Sequence, residues 1–82
     1  MRHHIQELID ELDSRGFDWS THQLTVKENQ AIVMTNNVAL IIDYTVTKNK
    51  DNTFTCQYNV NNTKAAETTR DTIEQIVDYI VE

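Results

Sequence analysis

The chain has 82 residues, with 13 acidic and 7 basic side chains, one Gly, no Pro and one Cys. That length fits one small domain spanning 1–82. One Cys excludes an internal disulfide framework, the longest near-apolar run, at 38–42, is too short to cross a bilayer, and a hydrophobic share of 39% argues against wholesale disorder.

No secretory signal pattern opens the sequence, so the expected location is the cytoplasm of a bacterial or host cell. The net charge of −6 gathers at the two ends. Residues 1–18 set Arg2 and Arg15 against Glu7, Asp10, Glu11, Asp13 and Asp18. Residues 64–82 set Lys64 and Arg70 against Glu67, Asp71, Glu74, Asp78 and Glu82, while the middle is balanced. Such a surface disfavours direct nucleic-acid binding, which needs Lys and Arg to displace counterions from phosphates.

In chain order, the first element predicted is a helix. Ile5, Leu8, Ile9 and Leu12 form one apolar stripe at helical spacing. Gly16 suits the left-handed residue that ends a helix, which brings Phe17 back onto Leu12. Residues 18–21 are a connector, with Trp19 plugging the end of the core.

Two short strands follow, at 23–27 and 30–35, separated by the turns Glu28-Asn29 and Asn36-Asn37. If both turns are two-residue loops, Leu24, Val26, Ala31, Val33, Leu40 and Ile42 share the inner face. Ile32, Met34, Ala39 and Ile41 then face outward. A different loop length would flip the 30–35 strand, so its buried face stays open at this point. Period-two alternation predicts longer strands at 38–47 and 54–61, joined by a polar turn at 48–52. Pairing Val46 with Phe54, Tyr44 with Cys56 and Ile42 with Tyr58 puts the large apolar groups on one side.

The last segment reads as a second helix, its start capped by Asn62 or Thr63. Ala66, Thr69, Ile73, Ile76, Val77, Ile80 and Val81 line one side, and Glu67, Asp71, Glu74, Asp78 and Glu82 the other. The expected fold is therefore α+β, a two-layer sandwich of order α-β-β-β-β-α. An antiparallel sheet of three to four strands carries both terminal helices on one face. The order of elements resembles that of the double-stranded-RNA-binding domain, whose second helix opens with basic residues. Here Lys64 stands alone before a run of acids, so that family's function is not carried over.

The acidic stripe is the main candidate for function. Like charges at i+3 and i+4 cost about 0.2–0.5 kcal/mol per pair, and Asp78 and Glu82 also oppose the helix dipole. Arg70 is expected to offset part of this by pairing with Glu74. Carboxylates placed at such a cost point to a basic protein partner, met through Glu67, Asp71, Glu74 and Asp78, then Glu7, Asp10 and Glu11. The alternative expectation is a structural or self-assembling protein that uses an outer-face patch of Ile32, Met34 and Ile41; the chain is expected to be a monomer or a homodimer.

Catalytic signals are weak. His4, Glu7 and Glu11 share a helix face without a specific metal-ligand spacing. Cys56 reads as a buried structural thiol, and one Gly cannot build a phosphate-cradling loop. No cofactor, metal or membrane is therefore expected. The chain reads as a small non-catalytic binding module. It has the style of a phage or mobile-element inhibitor that docks on a nuclease or other nucleic-acid-handling protein, at most as a sparse nucleic-acid mimic.

Overall fold

The computed structural model describes residues 4–36 and 39–81. Its elements run α1 (His4–Ser14), β1 (His22–Lys27), β2 (Gln30–Thr35), β3 (Ile42–Lys48), β4 (Phe54–Val60), β5 (Thr63–Arg70) and α2 (Ile73–Val81). The strands form one antiparallel sheet in the order β1-β2-β3-β4-β5, so each strand pairs with its sequence neighbour. No helix among the described residues is long and apolar enough to cross a membrane.

One face of the sheet carries the core. Ala31, Val33, Val46, Phe54 and Cys56 are buried there with Ile5, Leu8 and Leu12 of α1 and Ile73, Ile76, Val77 and Ile80 of α2. Each large side chain removed from water in this way stabilises the fold by about 1.5–3 kcal/mol. Among the described residues, this α-β-β-β-β-β-α arrangement has five strands where three or four were expected.

The first helix ends as its sequence dictates. Gly16 takes φ 75°. The Phe17 amide donates to the Leu12 carbonyl and the Gly16 amide to the Asp13 carbonyl, both at 3.0 Å. This reciprocal closure satisfies carbonyls that the helix itself leaves open. Beyond it, the Trp19 indole donates to Asp13 Oδ1 at 2.6 Å and packs edge-on against Phe17. Two turns reuse one device: Asp18 accepts from both the amide and hydroxyl of Ser20, and Asp51 does the same for Thr53. Led by the hydroxyl bonds, these contacts hold both carboxyls below their ordinary range.

β3 and β4 keep the expected parity in a corrected register, and the face of β2 left open by the sequence is settled by its pairing. Lys48 pairs with Phe54, Val46 with Cys56 and Tyr44 with Tyr58. The slip of two residues from the expected pairing leaves every side chain on its predicted face. Leu24, Val26, Ala31, Val33 and Ile42 lie on the helix side, and Ile32 and Met34 on the outer side. Residues 39–41 precede β3, so Ala39, Leu40 and Ile41 belong to a connector and not to a strand. Reciprocal bonds tie that connector down: Asn61 Oδ1 accepts from the Ile41 amide, and the Asn61 amide donates to the Ile41 carbonyl.

The largest correction concerns residues 63–70. They form β5, not the first half of a helix. Asn61 and Asn62 both take positive φ, 51° and 67°, the geometry of the tight turn that joins antiparallel neighbours. The chain therefore doubles back beside β4 and starts its helix at Ile73, nine or ten residues beyond the start expected after a cap at Asn62 or Thr63. Thr72 is the actual cap. Its hydroxyl accepts the Gln75 amide at 3.3 Å, while Gln75 Oε1 accepts the amides of Asp71 and Thr72. That is a capping box, Thr72-x-x-Gln75. Ile73, Ile76, Val77 and Ile80 are buried on α2, whereas Ala66 and Thr69 are exposed on β5 and Val81 is exposed on α2.

Candidate functional site

Splitting the last segment into a strand and a helix redistributes the acids. Glu67 lies on β5 opposite Gln57, on the outer side of the sheet, and its carboxylate meets Lys64 at 3.5 Å. Asp71 sits in the turn before α2, and only Glu74 and Asp78 ride on the helix. The single stripe from Glu67 to Asp78 is thus not formed, and Glu82 lies outside the described residues. Arg70 does not reach Glu74. It donates to Thr68 Oγ1 and the Gln75 carbonyl, and its guanidinium lies 5.7 Å from the centre of the Tyr79 ring.

A different acidic surface replaces the stripe. α1 packs against α2, and the groove beside them, about 230 Å³, is lined by Glu7, Asp10, Glu11, Ser14 and Glu74. Two segments at opposite ends of the sequence supply its carboxylates. Glu7 and Glu74 occupy the first turns of their helices, where the dipole favours a negative charge. That explanation does not extend to Asp10 and Glu11, which lie further along α1. Within α1, Gln6 donates to Asp10 at 2.9 Å.

Arg15 bridges the two helices through Glu11, which lines the groove, and Asp78. Its guanidinium contacts Glu11 at 2.9 Å and Asp78 at 2.7 Å, joining the two helices. The Asp78 hydrogen bond, then that from Glu11, holds the guanidinium more firmly protonated than usual. Position 78, which opposes the dipole of its own helix, thus has a cationic partner after all, supplied by α1. Of the seven acids expected at a partner surface, the fold gathers Glu7, Asp10, Glu11 and Glu74. It places Asp78 beside them through Arg15 and separates Glu67 onto the other side of the sheet.

The outer sheet face is more polar than the self-association patch implied. Ile32 and Met34 are half-buried among Thr25, Thr45, Gln57 and Asn59, and Ile41 lies in the connector. Asp43, which the sequence did not single out, is the buried charged residue of this face, 6% exposed. Asn59 Nδ2 donates to its carboxylate at 2.6 Å and Thr45 Oγ1 at 3.3 Å. The available signal was an acid inside a period-two strand, which a strand tolerates only with partners on adjacent positions.

Cys56 is fully buried beneath the helices. Burial pushes its thiol up to about 12, against a smaller opposing effect of Arg70. His22 lines a second depression of about 460 Å³ with Ser20, Thr21, Thr35 and Asn36. Its ring packs on Phe17, and its Nδ1 lies 2.9 Å from Thr21 Oγ1 and 3.0 Å from the Asp18 carbonyl. Among the described residues, no three His, Cys, Asp or Glu converge as a metal site; the side chain of His4 lies outside the described residues. Comparison with protein-family models, curated proteins and solved structures found no match.

Proposed function

We propose that this chain is a small acidic binding module that docks a basic protein surface with the groove between α1 and α2. The observation that carries this reading is the convergence of Glu7, Asp10, Glu11 and Glu74 on one concave surface. Residues far apart in sequence meet there, and only part of their placement serves helix stability. Carboxylates at such a rim attract a cationic partner over about 10 Å at ~0.1 M salt and fix its orientation on contact. The partner class in keeping with this charge is a nuclease or other nucleic-acid-handling protein, whose own groove is basic. The module would act on it as an inhibitor of the kind carried by phages and mobile elements.

The test is charge reversal with a control on the opposite face. Glu7→Lys, Asp10→Lys and Glu74→Lys are combined, leaving Glu11 to hold Arg15. Capture of basic proteins from the source cell is compared at low and high salt, with circular dichroism confirming the fold. Capture that salt weakens, that the triple variant loses and that Glu67→Lys retains supports the docking groove. Capture unchanged by the reversal, or lost equally in Glu67→Lys, overturns it.

A further inference from the structure

The two edges of the sheet are built differently. β5 carries Lys64, Glu67 and Arg70 and a register shift opposite Tyr58 and Asn59. Charges and bulges of this kind keep an edge strand from pairing with another chain. β1 has neither device along its middle: His22-Gln23-Leu24-Thr25-Val26 is followed by its one charge, Lys27, and its register against β2 is regular throughout. Val26 is 54% exposed there.

The backbone parity of this edge is determined. The Asn36 amide donates to the Thr21 carbonyl at 2.9 Å. In an antiparallel ladder the groups of alternate residues point the same way. Those of Gln23, Thr25 and Lys27 therefore turn toward β2, and those of His22, Leu24 and Val26 turn toward the open edge. Among the described residues, no strand lies beyond β1.

We propose that a second copy of this chain pairs its β1 antiparallel with this one about a two-fold axis at Leu24, continuing the sheet through the dimer. The strand is complementary to itself in that register. A two-fold axis normal to the sheet keeps both helix layers on one side and sets Leu24 against Leu24 of the second copy. Val26 then meets His22 of the second copy, which covers the exposed apolar side chain. Lys27 comes opposite Thr21 of the second copy, whose hydroxyl donates to the Asp18 carbonyl at 3.2 Å. The cation of each strand thus arrives beside residues 18–21 of the other, twice by symmetry, and no like charges are paired. Of the acids behind the net charge of −6, those on α2 lie over β4 and β5, away from this edge. A six-residue strand spans about 20 Å, below a standard interface, so the dimer depends on concentration.

Sedimentation equilibrium of the full chain from about 10 μM to about 1 mM tests this, with Val26→Lys, Lys27→Glu and Ile32→Lys alongside. The mass is expected to rise toward that of two copies. Val26→Lys and Lys27→Glu are each expected to raise the dissociation constant about tenfold or more, while Ile32→Lys leaves it unchanged. In the wild type, the amides of residues 22, 24 and 26 are expected to exchange more slowly as concentration rises, with those of 63–70 unaffected. A single-copy mass at the highest concentration overturns the proposal. So does a dimer abolished by Ile32→Lys but kept by Val26→Lys, or concentration-dependent protection along β5. Should a variant fail to fold, the wild-type exchange pattern decides alone.

Discussion

Glu28 holds φ at 40° in the turn between β1 and β2. Asn tolerates the left-handed region, and Asn52, Asn61 and Asn62 take it; at this turn the side chain in that region is Glu28. A left-handed residue with a Cβ costs about 1–2 kcal/mol, part of which Gly returns as unfolded-state entropy. Glu28→Gly is therefore expected to stabilise the fold by about 0.5–1 kcal/mol, read as a higher urea midpoint at unchanged slope. Cys56 makes a prediction in pH. Its thiol is raised to about 12 in the folded state by burial, against about 8.5 in an unfolded chain. A group raised on folding contributes stability that is complete below the unfolded value and is lost as pH climbs toward the folded one. Wild type should therefore lose stability faster than Cys56→Ala between about pH 8.5 and 12. Iodoacetamide should leave the native thiol intact at pH 8; alkylation as fast as in urea would show the site to be open.

At the scale of elements, α1 and β4 were legible because their patterns are locally complete. α1 has an apolar stripe, a left-handed Gly16 and a returning Phe17, and all three agree. β4 alternates without interruption from Phe54 to Val60. β5 was not legible, because Lys64, Ala65, Ala66 and Glu67 are good helix formers and a strand at the edge buries too little to show an alternation. Two local signals did mark the break: the Asn61-Asn62 pair and the Thr72-x-x-Gln75 box. The box carries a prediction. Thr72→Ala removes the acceptor for the Gln75 amide and is expected to cost about 0.5–2 kcal/mol, with amide exchange accelerated in the first turn of α2 ahead of β3 and β4. An effect confined to β5 would show that the cap is not what starts the helix.

For the whole molecule, the charge pattern and the surface it makes are separate matters. The sequence placed excess acid at both ends of the chain, and that holds whatever the fold. Which acids face the same solvent was decided by the return of β5 beside β4. It puts Glu67 opposite Gln57 and leaves Glu74 beside Glu7, Asp10 and Glu11. The same return brings Asp78 within 2.7 Å of Arg15, sixty-three positions earlier in the chain. Composition and periodicity by themselves determined an α+β fold, the apolar stripe of α1, the parity within β3 and β4 and the acidic termini, because each is set by spacing along a few neighbouring residues. The fifth strand, the grouping of carboxylates between α1 and α2, the partners of Asp43 and the bare edge of β1 were decided only by tertiary structure. Each depends on which segment lies beside which, and pairing between distant segments leaves no periodic trace in the chain.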